Sequence, residues 1–350
     1  MPGGGLSDQA MMDADFVLKD RGVSQALEEF IVGAAFARTG GAAAFAMGDG
    51  TMRIAPPAGE WIAAPAHDGA ILAMAAAPGG WVTGGDDGRF CRTAPDGAVT
   101  EIARFGSKWV EQVAAWTDGK TGLLACSVGK VIHLFDGGGR KLKELAHPST
   151  VSGIAIDAKG KRVVASHYNG ATLWFVAAKV DSPRSLEWKG SHIGVAIHPG
   201  GDAVVTSMQE NALHGWRLAD GQHMRMSGYP SKTESLSFSR TGKWLATSGA
   251  ESIVLWPFFG GGPMGKAPTE LAGGDTVTCN RVAFHPQQDM VAAGFSDGLV
   301  IVADVGTERV LPMAAPGRGG VSALAWSPDG TRLAFGTETG FAALVDLSKR

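Results

Sequence analysis

Three histidines, His67, His147 and His192, are the first residues whose chemistry needs an explanation. Imidazole is the commonest metal ligand, and a zinc site needs three or four donors converging on one point. These three instead sit at equivalent places in separate copies of a repeat, each just ahead of an apolar run, which sets them far apart. A hydrogen bond from each ring to its own copy is what that spacing favours. His198 and His285 fall in the opposite turns of the repeat and cannot join the set. The carboxylate pairs Glu28-Glu29 and Asp86-Asp87 are adjacent in loop-like sequence and read as solvated or structural groups rather than an acid and a base. Cys91, Cys126 and Cys279 match no disulfide or metal spacing, and Cys126, inside GLLACSV, reads as a small buried hydrophobe in a reducing compartment. The chain contains no H-E-x-x-H and no phosphate loop ending in Gly-Lys-Ser/Thr. No catalytic, cofactor-binding or metal-binding residue is therefore assigned, and the expected protein is not an enzyme and carries no cofactor.

The elements that would position any site follow from one repeated pattern. In Val321–Asp346, two turn signals, SPDG and TETG, separate three short apolar or alternating runs, VSALAW, TRLAFGT and FAALVD. Proline fixes φ and glycine supplies positive φ, so these read as three strands joined by tight turns. The first turn recurs backwards as HPQQD at His285, SRTG at Ser239, HPGG at His198, DAKG at Asp157, WTDG at Trp116, APGG at Ala77 and ARTGG at Ala37. The steps between these turns run from 39 to 46 residues, the period of a four-stranded propeller blade. The second turn keeps register as GDGT, DDGR, SVGK, YNGA, ENA, GAES, SDGL and TETG.

From Phe30 to the C-terminus the chain resembles the WD40-repeat family. The units that carry the resemblance best are Val151–Val176, Glu234–Trp256, Arg281–Asp304 and Val321–Asp346. No Trp-Asp dipeptide occurs; Phe135-Asp136, Ala303-Asp304 and Val345-Asp346 stand in its place, and Trp174, Trp216 and Trp256 keep the Trp alone. His67, His147 and His192 answer to the family's Gly-His signature, and Asp49, Asp87 and Asp297 to its turn aspartate. The resemblance implies an all-β, WD40-like β-propeller, without a complete side-chain hydrogen-bond set in every blade. It also implies a rigid platform for protein or peptide partners.

Composition agrees with this class. Of 350 residues, 51 are glycine and 45% are hydrophobic, which suits turn-rich β structure with small residues in close-packed strands. Net charge is −3, without a basic stripe, so nucleic-acid binding by bulk electrostatics is not expected. The N-terminus lacks a basic region followed by an apolar one, and no run of 18 apolar residues occurs. A cytoplasmic protein without a membrane partner is the expectation, with a monomer favoured.

Eight four-stranded blades are expected, with seven as the alternative if the Ala-rich first unit, Phe30–Pro56, is not a blade. Residues 1–14 read as a disordered tail, and 15–350 as one propeller domain. In WD40-like propellers an N-terminal strand completes the last blade; residues 15–20, containing FVLK, are given that part beside Phe341–Asp346.

The repeat geometry then sorts the loops. On the top face it places Trp109, Tyr168, Tyr229, Lys232, Arg281 and Arg318, aromatic and basic residues of the kind that dominate interfaces. On the bottom face it places the long interruption Pro257–Asp275 with Phe258, Phe259 and Met264. The leading expectation is a non-enzymatic scaffold binding a protein or peptide partner through its top face. The alternatives are a propeller enzyme or metal-binding protein using the channel mouth, and an assembly subunit docked through the 257–275 loop.

Overall fold

A computed structural model of the chain describes residues 14–274 and 276–348. Among the described residues, one helix, Phe16–Arg21, precedes thirty strands. The fold is all-β. Its strands form seven hydrogen-bonded sheets, six of four strands and one of six.

Each four-stranded sheet is an antiparallel meander in chain order, as the paired turn signals require. The Ala-rich first unit is a complete sheet: Ile31–Phe36, Ala43–Met47, Thr51–Ala55 and Ile62–Pro65. The difference between eight repeats and seven sheets arises elsewhere. Two strands of 14 residues, Arg162–Phe175 and Arg184–Ile197, each cover ground that other units divide between two strands. The first folds back at Asn169 and Gly170, whose φ values are +65° and +138°, so Val176 N–H reaches Lys161 O. The second serves as an outer strand through Trp188, then pairs with Ala203–Met208 from His192 onward. Gly190 (φ +127°) makes that change of partner possible. A Cβ there would stand 2.6 Å from Met208 Cε, close to the Glu210 carboxylate.

Two compact units divide the chain. One comprises Met1–Ile31, Asn211–Leu213 and His223–Arg350, and the other Val32–Glu210 and His214–Gln222. Within both, burial changes from strand to strand of a blade. First strands such as Gln112–Thr117 are half-buried throughout. Second strands such as Ala43–Met47 and Ala203–Met208 are wholly buried, because both faces of the sheet are covered. Fourth strands alternate, as in His223–Ser227, where Met224 and Met226 point inward.

The N-terminal segment corrects the sequence-based boundaries. The sheet containing Phe341–Asp346 does gain a strand from the N-terminus, but that strand is Gly22–Ala26, with Gly22 opposite Val345 and Ala26 opposite Phe341. FVLK, expected to be the strand, belongs to the helix. Leu18 enters the core formed by Val321, Phe335 and Val345. Asp15, just ahead of the helix, accepts from Ala315 N–H at 2.7 Å and from the Arg318 guanidinium. Gly22 permits the abrupt passage from helix to strand, since a Cβ would come within 2.4 Å of Leu18 O. The strand itself is exposed at four of its five positions, so its sequence carries no apolar alternation to announce it. The expected tail over residues 1–14 lies, but for Ala14, outside the described residues.

Removing residues 1–21 deletes Asp15 and Leu18 but spares the strand, and removing 1–26 deletes both. With about 1–2 °C per kcal/mol for a chain of 350 residues, the first truncation should lower Tm by roughly 2 °C or more, and the second further. Calorimetry or thermal circular dichroism checks both steps; equal melting of all three proteins would refute the anchoring role.

Candidate partner-binding surface

In six units the loop leading into the first strand is hydrogen-bonded to the hairpin tip joining the second and third strands of the same unit. Asp68 N–H donates to Asp87, Ser191 N–H to Glu210 and Tyr168 N–H to the Ser149 hydroxyl. Ser231 N–H donates to Gly249 O, Ser296 N–H to Thr278 O and Glu338 N–H to Gly320 O. These two kinds of loop therefore share one end of their blade, as the repeat predicts.

Beneath the loops, side-chain relays tie loop to sheet. His67 bonds Asp87 through Nδ1 at 2.9 Å and the Thr83 hydroxyl through Nε2 at 2.8 Å. His147 accepts from Trp174 Nε1–H at 3.0 Å, so its proton is on Nδ1, facing Lys130 O. His192 joins the Thr206 hydroxyl to Trp188 O. Of the turn aspartates, Asp87 alone reaches one of these histidines; Asp49 and Asp297 instead accept from Thr51 N–H and Leu299 N–H in their own turns. Among the described residues no group of three or more His, Cys, Asp or Glu could hold a metal ion, and no helix is long and apolar enough to cross a membrane.

The six residues expected on the top loops divide into three groups. Tyr229 is the correction: it is 8% exposed, and its hydroxyl accepts from Trp256 Nε1–H at 2.6 Å and donates to Thr247, which donates on to Val254 O. Burial pushes its pKa up to about 12. Tyr229 does in its blade what His147 does in another, and the sequence contained the signal, because both residues precede their tryptophan by 27 positions. Arg281 and Arg318 are engaged within the chain. Arg281 bonds Ser322 O, Asn280 O and Glu234. Arg318 clasps Asp15, and its guanidinium lies 4.9 Å from the Phe341 ring centre. That clasp holds the Asp15 carboxyl below the usual carboxylate range.

Trp109, Tyr168 and Lys232 face solvent. Trp109 is 57% exposed because its neighbour Val110 is fully buried and bonded through N–H to Gly85 O, which turns Trp109 outward. Tyr168, also 57% exposed, occupies the hairpin tip before Asn169. Beside it opens a cleft of about 760 Å³, between the Pro148-Ser149 loop, the tip His167–Asn169 and the strand segment containing Glu187, Trp188 and Lys189. Sequence reasoning found Tyr168 but not Trp188, whose position in an outer strand gave no hint of a cleft wall. In the Pro257–Asp275 interruption, Phe258 packs edge-on against Phe238, whereas Phe259 and Met264 are each 47% exposed. Phe259 touches the edge of Trp244 and carries Lys266 over its ring, so the loop is partly braced from within.

Residues 282–350 match the family profile described as the anaphase-promoting complex subunit 4 WD40 domain. That match and the repeated sheets together support a WD40-type β-propeller. The match spans the last two repeats, and the strand pattern described above carries the same unit through the rest. Among solved structures, the crystal structure of the computationally designed Ika8 protein is similar to this propeller with a TM-score of 0.73. It is 17% identical, covering 92% of this chain and 98% of that one, a likeness of fold alone. No curated protein matches the chain.

The relays of this WD40 fold make two testable statements. Burial pushes the His147 pKa down from 6.5 to about 4. Between those values the unfolded chain binds a proton that the folded ring refuses. Stability is thus fully present above pH 6.5 and is lost as pH falls toward 4, by up to about 3 kcal/mol from this residue. Urea unfolding at pH 7.5 and pH 5 measures the loss, and His147→Gln should flatten it in part; an unchanged pH slope would refute the assignment. Tyr229→Phe removes the acceptor for Trp256 and should destabilise by about 1–3 kcal/mol; a variant as stable as the parent would show that this relay is dispensable.

Proposed function

We propose that this chain is a non-enzymatic scaffold that holds a protein or peptide partner on the loop end of its blades, with Trp109 and Tyr168 as the principal contacts. A WD40 propeller fold supports protein interaction in general. The observation that carries the finer reading is the exposure of these two aromatic rings on loops whose backbones are bonded to rigid sheets. Aromatic side chains fixed in this way give large contact area at low ordering cost. Lys232 adds a solvent-facing cation on the corresponding loop of another blade. Tyr229, Arg281 and Arg318 support the loops from within and are not assigned to the partner.

A second reading has its own observation. Phe259 and Met264 are exposed on the 257–275 interruption, which would dock the chain into a larger assembly through the opposite end of one blade.

Affinity capture from the native host separates the two, using wild type, Trp109→Ala with Tyr168→Ala, and Phe259→Ala with Met264→Ala. All four substitutions are at exposed positions, and because Phe259 also touches Trp244, melting of each variant is compared with wild type first. We expect a partner retained by wild type and by the second variant and lost from the first. Loss from the second variant alone would move the contact to the long loop, and a partner retained by both would refute both surfaces.

A further inference from the structure

We propose that the cleft beside Tyr168 binds a proline-rich segment in the polyproline II conformation; this rests on the scaffold reading above and names the class of ligand. A peptide added as a β-strand needs unpaired backbone groups along an edge. Here three backbone donors at the hairpin tip and in the turn after Lys189 are already engaged. Tyr168 N–H is bonded to Ser149 Oγ at 3.0 Å, Gly190 N–H to Asn169 Oδ1 at 3.3 Å and Ser191 N–H to Glu210 at 3.0 Å.

The imidazole in the wall is engaged as well. His167 Nδ1–H donates to Tyr168 O at 2.9 Å, which leaves Nε2 to accept from the Thr172 hydroxyl at 2.7 Å. His167 is therefore a fixed wall and offers neither a proton nor a lone pair to a ligand. The outer-strand carbonyls beside the cleft are also taken: Trp216 Nε1–H donates to Glu187 O at 3.3 Å, and His192 Nε2–H to Trp188 O at 2.9 Å.

What remains is ring surface and mobile side-chain ends. Tyr168 presents an exposed ring, Pro148 a pyrrolidine and Trp188 an indole held in place by stacking on His214, with ring centres 3.9 Å apart and planes 13° from parallel. Lys189 and Asn169 add side-chain donors at the rim. A polyproline II segment matches that inventory. It makes no internal hydrogen bonds, its prolines have no N–H to satisfy, its rings pack on aromatic faces, and its carbonyls accept from side chains such as a tyrosine hydroxyl or a lysine. It is also preformed, so it loses little entropy on docking. The rigid placement of Trp188 and the tethered hairpin tip make the receiving surface equally preformed.

The test is fluorescence anisotropy of a labelled ten-residue polyproline peptide titrated with the full chain. A Gly-Ser peptide and an alternating Val-Thr peptide of the same length serve as comparisons. We expect saturable binding of the polyproline probe alone. Tyr168→Ala should weaken it about tenfold, the equivalent of about 1.4 kcal/mol for one stacked ring, and Tyr168→Phe should keep most of the affinity. Leu311→Ala, at an exposed position outside the cleft, should leave it unchanged. Absence of polyproline binding up to millimolar protein, equal binding of the Gly-Ser peptide, or tighter binding of the Val-Thr peptide would each overturn the proposal. The scaffold reading would survive any of these results if the host partner were still lost from the Trp109/Tyr168 variant.

Discussion

A sheet whose middle strands are apolar on both faces cannot stand in water, and this constraint governs the rest of the molecule. Ala43–Met47 and Ala203–Met208 are buried at every position, so each sheet must be covered on two sides. The buried clusters accordingly span successive repeats. One joins Ile54 to Trp81, another Phe90 to Phe135, another Ile132 to Trp174, and another Leu255 to Phe295. The clusters each draw on two successive repeats, which is why the order of strands and turns persists even where the side chains within it vary. Side-chain volume can be exchanged between neighbours, but the register of strands and turns cannot shift without turning a buried face to solvent. Hydrogen bonds between successive repeats follow the same spacing: Trp81 reaches Ala35 O, Trp116 Ala158 O and Trp326 Ala283 O.

The same constraint explains how much of the fold was legible. Turns were readable because positive φ and proline geometry leave few residue choices. The closing strand was misplaced for the converse reason. Gly22–Ala26 contributes backbone pairing and almost no buried side chain, whereas FVLK contributes Leu18 to the core, so apolar content pointed to the wrong segment. The blade count was ambiguous for a related reason. Asn169-Gly170 and Gly190 let the chain change direction or partner within continuous strands, so eight turn units are bonded into seven sheets.

The candidate surface was legible only in part, and Tyr229 shows why. Residue type favoured an interface role, and loop position agreed, yet a phenol can also close a buried relay when an indole N–H and a threonine hydroxyl stand at the right separation. Only the 27-residue interval to the tryptophan distinguishes the two uses, and that interval has meaning only beside the His147 relay. Arg318 is a similar case. Its partner, Asp15, is 303 residues away in the chain, and no local pattern connects them. Residues on rigid loops are thus ambiguous in sequence because the groups that brace a loop and the groups that bind a partner are chemically the same.

That ambiguity bears on how such a surface can diversify. Each loop is held by backbone and relay contacts beneath it, so an outward side chain can change without disturbing the blade. Trp109 beside the buried Val110 and Tyr168 above the committed His167 show this division at single-residue resolution. A change at Val110 or His167 would be felt as lost stability, through a cavity or an unpaired polar group. A change at Trp109 or Tyr168 falls on exposed surface and leaves those contacts in place. Because the two consequences fall on different residues, an outward ring such as Trp109 or Tyr168 can be exchanged without disturbing the blade beneath it.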